Sequence, residues 1–369
     1  TGSSNSVNLQ GSGPYNYRPP VGYFTDLATG FSVETGTPSL STLESVSSYV
    51  PAPDRWPLSD VLAYHDWHFG GNGDSKTFMA ALETMFGKAT SFADFERKAQ
   101  MMNLETHKAM YEGFLGHLWT KNSGRLLWMT HPSWPSNSWQ IYSWDYDTHA
   151  AYYGAKKAAE PLHVQLNLPG NELLVVNTTR ADATDLTATT RVVSLDNRML
   201  FERTDQLQAK ANQTTQLAAI PLASLMAANP MVLVALKLAD SSGATVSENF
   251  YWRGKDAASY RALDTLPNVA LELTATASVE PGDRTLTATL SNRSPTPVLN
   301  AKLTLVDAKG QRILPAFYSD NYVSLLPGEV KTIGIRYPAN QTSAPAITLR
   351  GWNVTEQTLS SRDLRELAQ

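Results

Sequence analysis

The sequence predicts a multidomain protein in which one α/β region is followed by two all-β domains. Its 369 residues exceed the roughly 100–200 residues of a single domain. Helical apolar spacing and most of the Trp, His and Met residues occur before residue 160, whereas alternating Thr- and Val-rich segments follow it. These observations predict domain boundaries at residues 1–160, 161–254 and 255–369.

The composition argues against several classes of function. The net charge is -4 and the basic residues form no cluster, so we predict no nucleic-acid partner. No apolar run approaches the ~20 residues that cross a bilayer, so no membrane span is predicted. Cys is absent, which leaves no disulfide, thiolate nucleophile or Cys-ligated metal. The first residues lack the charged and apolar regions of a signal peptide, and no metal or cofactor is predicted.

The α/β region begins with a short apolar run from Gly30 to Val33 that ends at Glu34-Thr-Gly. A short run bounded by turn residues predicts a buried strand with a polar tip. Helices are then predicted at residues 40–49, from Asp74 or Ser75 to Gly87, and at residues 91–119.

A second buried strand is predicted from Arg125 to Met129, followed by a polar and aromatic tip. A last helix is expected at residues 149–159. Strands that alternate with long helical crossovers predict a parallel sheet. Only two or three such strands are visible, which is too few to close a barrel or cover both faces of the sheet.

The remainder alternates in the manner of antiparallel β-sandwiches, with a linker at residues 253–265. The clearest strands begin at His163, Glu172, Leu186, Leu271, Thr285 and Ala301. Five Asn-x-Ser/Thr sequons are weak evidence for secretion, because a Thr-rich β protein contains them by chance: Asn177, Asn212, Asn292, Asn340 and Asn353.

Glu34 is the strongest candidate for a catalytic residue. A carboxylate at the carboxyl end of a parallel strand lies where barrel enzymes carry their catalytic groups. The neighbouring strand tip supplies Trp128, His131 and Trp134, and indole rings stack well on the apolar faces of sugars. The alternative is that Glu34 is a solvated strand end.

Two further motifs have a structural interpretation that we prefer. His65 and His68 have the i, i+3 spacing of a metal pair, but no third ligand has clear spacing, so a structural or substrate-lining role is favoured. Gly170-Asn-Glu resembles a short signature in which Glu is the acid of some glycosidases, but it follows Leu-Pro and predicts a turn.

Several distinctive segments are spread in order over nearly the whole chain: GPYNYRPP from Gly13, FSVETG from Phe31, DFERKAQ from Asp94, LWM from Leu127, AYYGAKKAAEPLHVQ from Ala151, ENFYW from Glu248, SDNYVSLLPGE from Ser319 and GWN from Gly351. Together these segments resemble glycoside hydrolase family 2, in its branch of exo-β-D-glucosaminidases, β-mannosidases and endo-β-mannosidases.

The resemblance implies a five-domain enzyme with a central (β/α)8 barrel. The expected fold is therefore multidomain α/β plus all-β: the C-terminal part of that barrel, followed by two immunoglobulin-like β-sandwiches. Glu34 matches the nucleophile, and Trp128 matches the Trp of the last barrel strand near the bound sugar. His131 stands where relatives often have Asn. The general acid of the family lies upstream of Thr1.

The expected function is that of a retaining β-glycosidase acting on terminal β-linked mannose or glucosamine of an oligosaccharide. Such a reaction needs two carboxyl groups, so we expect an N-terminal partner segment, on a separate or cleaved chain, to supply the acid. Tyr15, Tyr17 and Tyr142 are further candidates for the pocket, and a periplasmic or extracellular location is expected. The alternative function is a non-catalytic carbohydrate-binding or structural subunit of a glycosidase complex.

Overall fold

The structure is a computed structural model that describes residues 9–10, 13, 15–68, 70, 73–280, 283–339 and 344–366. Pro14 and the sequon at Asn340 lie outside these ranges. One compact unit comprises residues 1–144, 148–194 and 198–261, and the other comprises residues 145–147, 195–197 and 262–369. The three domain boundaries drawn from the sequence remain predictions.

The α/β region holds three strands in the order β1-β2-β3, and both pairings are parallel, which confirms the predicted parallel sheet. Its elements are β1 (Leu9–Gln10), α1 (Pro20–Phe24), β2 (Gly30–Thr35), α2 (Leu43–Tyr49), α3 (Ala52–Arg55), α4 (Asp60–Tyr64), α5 (Lys76–Phe86), α6 (Phe92–Leu115), β3 (Asn122–Leu127) and α7 (Ala150–Ala158).

Several boundaries differ from the prediction for local reasons. Strand β2 ends at Thr35, so Glu34 belongs to the strand rather than to the loop that follows it. Helix α2 begins at Leu43 because the Thr42 side chain caps it by accepting a hydrogen bond from the Ser45 amide. Helix α6 ends at Leu115, since Gly116 follows it, and β3 ends one residue before Trp128.

Helix α6 is the longest helix of the described residues and packs against both α1 and α7. Its N-terminus shows the predicted cap, in which the Ser91 hydroxyl accepts a hydrogen bond from the Asp94 amide at 3.1 Å. The Asp94 carboxylate then accepts from the Thr90 amide and pairs with Lys98 at 2.9 Å. No helix in the described part of the chain combines the length and apolarity that a bilayer crossing requires.

The first all-β domain is an antiparallel sandwich of a three-stranded sheet, β4-β5-β8, and a four-stranded sheet, β10-β9-β6-β7. Asn171 has φ 60° in the turn that precedes β5, so Gly170-Asn-Glu is a turn, as predicted. The elements are β4 (Leu162–Leu166), β5 (Glu172–Asn177), β6 (Ala183–Ser194), β7 (Met199–Ala209), β8 (Gln213–Ala219), α8 (Leu222–Ala228), β9 (Met231–Ala239) and β10 (Thr245–Gly254).

The second all-β domain pairs a five-stranded sheet, β14-β16-β12-β11-β19, with a four-stranded sheet, β15-β13-β17-β18. Residues Ala257–Thr265, predicted as a linker, form a 3-10 helix. The strands are β11 (Glu272–Glu280), β12 (Asp283–Ser291), β13 (Val298–Val306), β14 (Phe317–Tyr318), β15 (Val323–Leu325), β16 (Val330–Pro338), β17 (Ala346–Arg350), β18 (Gln357–Leu359) and β19 (Arg365–Glu366). A second 3-10 helix lies at Ser361–Asp363.

The same buried turn recurs in both sandwiches and explains two of the sequons. The Asn177 amide oxygen accepts from the Thr179 amide and hydroxyl at 2.9 and 2.7 Å, and Asn292 does the same with Ser294 at 3.1 and 2.7 Å. Both Asn side chains are fully buried, and Asn353 is nearly so. These three sequons are therefore hydrogen-bonded corners of the fold and carry no evidence for glycosylation.

Candidate active site

Glu34 and Trp128 both lie at the carboxyl edge of the parallel sheet. Strands β2 and β3 pair through Thr35 and Leu127, and the Trp128 amide donates to the Thr35 carbonyl at 2.9 Å. Glu34 is half-buried, whereas Trp128 is 46% exposed. The Trp128–Met129 peptide is cis. The sheet thus presents a carboxylate and an exposed indole at one edge, and the roles of these two residues stay predictions.

Tyr15 is the direct neighbour of the Glu34 carboxylate. Burial, together with a hydrogen bond that its hydroxyl donates to Glu34, raises the pKa of Tyr15 to about 12. The Tyr15 ring packs against Trp139 at 5.5 Å, and the Trp139 indole N–H donates to the Tyr15 carbonyl at 3.3 Å. Tyr15 therefore remains protonated at neutral pH and is held rigidly as a donor to the carboxylate.

Gly36 is required by close packing directly after strand β2. A Cβ at this position would lie 2.3 Å from the Trp128 carbonyl oxygen and 3.3 Å from both Tyr15 and Trp139. The first of these contacts is with backbone, which cannot rotate away. Glycine at this position lets the two strand tips approach each other.

We expect Gly36→Ala to displace the tip of β2 from that of β3, and so to lower both activity and thermal stability. Overpacking against backbone costs about 1–3 kcal/mol, which predicts a fall of several degrees in the melting temperature. The matched control is Gly70→Ala, where an added Cβ meets no atom within 4 Å. Equal melting temperatures for the two variants would contradict the proposed packing.

A set of polar contacts, which the sequence did not suggest, ties the loop after β2 to the loop after β3. The Ser138 amide donates to the Ser39 carbonyl at 3.1 Å, and the Ser39 hydroxyl donates to the Gln140 carbonyl at 2.6 Å. The Asn137 side chain accepts from the Ser41 amide at 3.1 Å. Hydrogen bonds thus join the two loops that follow β2 and β3, and we call these two loops the rim.

Trp134 lies in the rim, and its ring packs against that of His65, which follows α4. Their rings stack with centroids 5.1 Å apart, and 37% of Trp134 is exposed. The His65 Nδ1 faces the Pro135 carbonyl, whereas the His68 Nδ1 faces the Gly70 carbonyl, so each imidazole has its own backbone partner. In the part of the chain that the structure describes, no group of three or more His, Asp or Glu side chains is arranged to hold a metal ion.

His131 and Tyr142 occupy the loop that follows Trp128. The His131 Nε2 lies 3.2 Å from the Trp144 carbonyl, which orients the imidazole. Burial and the adjacent Tyr152 raise the pKa of Tyr142 to about 12, and the two phenol rings lie 5.0 Å apart. Both residues remain predicted members of the pocket.

Tyr17 is placed by packing contacts. Its ring meets Phe78 edge-on at 6.0 Å, and its amide donates to the Thr77 hydroxyl at 3.2 Å. Burial, together with the nearby charge of Glu105, raises the pKa of Tyr17. These contacts favour a structural role for Tyr17, and its role in substrate binding stays a prediction.

A buried cluster of charged groups, which the sequence analysis missed, joins α6 to the first sandwich. The Glu112 carboxylate accepts hydrogen bonds from Asn249 and Tyr251 at 2.7 Å and faces the His163 Nε2 at 3.1 Å. The other ring nitrogen of His163 faces Glu160 at 3.1 Å. Because both neighbours of the imidazole are carboxylates, the pKa of His163 is raised in spite of burial.

Lys108 completes this cluster. Its ammonium donates to the Asn249 side chain at 2.8 Å and to the Phe250 carbonyl at 2.7 Å, and it lies 3.8 Å from the centre of the Tyr251 ring. Burial lowers the pKa of Lys108 to about 8. The cluster therefore anchors the C-terminal part of α6 and, through α6, the sheet that carries Glu34.

Comparison with known domain families identifies both sandwiches. Residues 171–255 match the mannosidase Ig/CBM-like domain, and residues 249–354 match the Ig-fold domain of exo-β-D-glucosaminidase. The chain is also 32% identical to the exo-β-D-glucosaminidase of Streptomyces avermitilis, over 96% of this chain and 43% of that protein. The chain belongs to glycoside hydrolase family 2. Within this family it falls in the glucosaminidase and mannosidase branch, as the sequence segments predicted.

Other members of family 2 show the same relationship. The exo-β-D-glucosaminidase of Amycolatopsis orientalis is 30% identical over 97% of this chain and 38% of that protein. A solved structure of the exo-chitosanase CsxA from the same organism, in complex with PNP-β-D-glucosamine, superposes with a TM-score of 0.87 and 29% identity. The superposition covers 94% of this chain and 45% of the CsxA chain. The chain thus spans less than half of the length of these family 2 relatives.

Proposed function

We propose that this chain carries the nucleophile of a retaining β-glycosidase, and that Glu34 is that nucleophile. The observation that supports the proposal most directly is the half-buried Glu34 carboxylate at the sheet edge, hydrogen-bonded by Tyr15 and bordered by the open indole of Trp128. The membership in family 2 supports the same assignment.

The proposed reaction is a double displacement. The Glu34 carboxylate attacks the anomeric carbon of the terminal sugar, the glycosidic C–O bond breaks, and a carboxylic acid protonates the departing oxygen. The second carboxyl group, now a carboxylate, then takes a proton from water while the water oxygen attacks the same carbon. This second step releases the sugar and restores the Glu34 carboxylate. The reaction as proposed uses two carboxyl groups and water, and no cofactor.

The second carboxyl group is proposed to come from polypeptide outside these 369 residues. Retention requires the two groups to lie about 5–5.5 Å apart. The three-stranded sheet is proposed to be part of a (β/α)8 barrel, because Val33 of β2 and Leu126 of β3 expose 37% and 54% of their surface. Further strands, from the same protein or from a partner subunit, would cover these apolar side chains and bring the acid opposite Glu34.

The proposed substrate is an oligosaccharide ending in β-linked glucosamine, with mannose as the alternative. Two of the most similar relatives are named exo-β-D-glucosaminidases, and an endo-β-mannosidase from Lilium longiflorum is 26% identical over 94% of this chain. A periplasmic or extracellular site of action remains the expected location.

Covalent trapping tests the assignment of Glu34. A 2-deoxy-2-fluoro-β-glycoside with a dinitrophenol leaving group needs no acid catalyst for its departure, so it tests the nucleophile alone. The full-length protein should gain the mass of one fluoro-sugar on the peptide that contains Glu34. Labelling of another residue, or labelling of Glu34→Gln at the same rate, would refute the proposal. A stable, unlabelled protein that still binds oligosaccharide would favour the non-catalytic alternative.

Tyr15→Phe is expected to lower kcat while KM changes little, because the hydrogen bond to Glu34 positions the nucleophile rather than the sugar. A hydrogen bond to a charged group contributes about 1.5–3 kcal/mol, which corresponds to a loss of roughly 10- to 150-fold. Tyr337→Phe, in the second sandwich, serves as the matched control. An unchanged kcat for Tyr15→Phe in steady-state assays would remove Tyr15 from the catalytic arrangement.

A further inference from the structure

Three aromatic side chains form an exposed cluster on the rim, which we call the aromatic platform: Tyr64, His65 and Trp134. Tyr64 meets both other rings edge-on at 5.4 Å, and Trp134 stacks on His65 at an interplanar angle of 27°. Tyr64 is 72% exposed and Trp134 is 37% exposed. Large aromatic side chains that remain open to solvent side by side mark surfaces that bind a ligand or a partner.

The platform is held rigidly from below. The Asn137 amide donates to the His65 carbonyl at 2.9 Å, and the Asn137 side chain donates to the Tyr49 hydroxyl at 2.9 Å. The Tyr49 ring lies 4.7 Å from the His65 ring. Since the rings are already ordered, a ligand that stacks on them loses little of its binding free energy to immobilising side chains.

The chemistry of the platform suits a sugar ring. A carbonyl only accepts hydrogen bonds, so the His65 Nδ1, 2.5 Å from the Pro135 carbonyl, carries the proton. The platform therefore offers aromatic ring faces, which complement the apolar C–H face of a sugar. An ammonium substituent would gain further attraction from the aromatic faces.

The platform lies at the same edge of the sheet as Glu34, because Trp134 belongs to the loop that follows β3. Trp134 follows Trp128 by six residues in the same loop, so the two lie within about 20 Å along even a fully extended chain. The Ser39, Asn137 and Gln140 contacts hold this loop against the loop that follows Glu34. An oligosaccharide whose terminal sugar lies at Glu34 has its remaining units near this rim.

We propose that Tyr64, His65 and Trp134 form a second sugar-binding subsite, which stacks a glucosamine unit of the leaving-group portion of the substrate. The inference rests on the proposed function and adds to it a preference for chains of several sugars over short glycosides. The strands proposed to complete the sheet would cover Val33 and Leu126, which lie within β2 and β3, whereas the platform lies on segments beyond the carboxyl ends of these strands.

The test compares two substrates in the full-length enzyme: a β-linked glucosamine tetramer and a β-glucosaminyl fluoride, whose leaving group is a single atom. Trp134→Ala should lower kcat/KM for the tetramer by about 2- to 13-fold, the range for loss of one aromatic contact, and leave kcat/KM for the fluoride unchanged. Trp134→Phe should restore most of the tetramer activity. Trp119→Ala is the control, since Trp119 is also exposed but precedes β3 at the opposite end of the sheet.

The outcomes separate the subsite from the function on which it rests. Equal losses on both substrates, or no loss on either, would overturn the subsite while leaving the glycosidase assignment intact. If Trp134→Ala instead prevents co-purification of a second polypeptide, the platform is a protein interface and the subsite is refuted. Hydrolysis of neither substrate by the parent enzyme would refute glucosamine as the proposed substrate, and with it the subsite, whereas the trapping experiment on Glu34 tests the glycosidase assignment separately.

Discussion

Replacement of Glu34 by alanine is expected to abolish hydrolysis in the full-length enzyme, with a fall in kcat of about 10⁴- to 10⁶-fold, the size seen when a catalytic nucleophile is removed. The physical reason is that no other group can form the covalent bond to the anomeric carbon. The space left by the side chain also admits a small anion. Azide should therefore restore turnover of an activated aryl glycoside and yield a glycosyl azide of inverted configuration.

The control for this experiment is Glu356→Gln, which changes an exposed carboxylate in the second unit of the chain. It should retain parental activity and show no azide effect. Full hydrolytic activity in Glu34→Ala would end the enzyme assignment for this residue. Loss of activity without azide rescue, together with loss of secondary structure in circular dichroism, would indicate that Glu34 supports the fold instead.

Glu112→Gln is expected to destabilise the first unit by about 3–5 kcal/mol, because removing one partner of a buried ion pair leaves the other charge without compensation. Burial alone raises the pKa of Glu112, but the hydrogen bond from His163 and the charge of Lys108 lower it below its ordinary value. The amide keeps the shape of the side chain and removes only its charge. Urea unfolding of the purified variants measures the difference.

The matched control is Glu202→Gln, which breaks an exposed pair with Arg191 and should cost less than about 1 kcal/mol. A similar loss of unfolding free energy in both variants would show that the charge of Glu112 contributes little to stability.

The same cluster predicts how stability depends on pH. The pKa of Glu160 is lowered from 4.5 to about 2, as its bonds to His163 and Lys157 outweigh burial. The unfolded chain therefore binds more protons in that interval, and stability is lost as the pH falls from about 4.5 towards about 2. His163 acts in the opposite sense: its contribution is complete below pH 6.5 and is lost as the pH rises through its raised pKa. His163→Gln should remove the alkaline part of this profile.

Most of the regular structure can be predicted from the sequence, because hydrophobic periodicity is a local property. The capping of α6 by Ser91 and the turn at Gly170-Asn-Glu follow from residues that are near each other in the chain. The parallel pairing of the two strands before residue 160 was instead predicted from the alternation of strands with long helical crossovers. Glu34 could be selected as a candidate because a carboxylate directly after a short apolar run is visible in the sequence itself. The sandwich strands were recognised from alternation alone.

The residues at which strands end depend on contacts that form only in the folded protein. Strand β2 continues through Glu34 because its partner β3 pairs as far as Leu127, and pairing partners are a property of the folded sheet. Likewise, the sequons at Asn177 and Asn292 are identical in the sequence to exposed ones, and only burial shows that their side chains close turns.

The sequence by itself determined the classes of element, the two sandwiches, the candidate Glu34 and the family to which the chain belongs. The tertiary structure alone decided that Tyr15 donates to Glu34 and that Glu112 meets Asn249, which lies 137 residues away. The physical reason is that periodic burial is encoded in neighbouring residues, whereas a hydrogen bond between distant side chains exists only once folding has brought their atoms within about 3 Å.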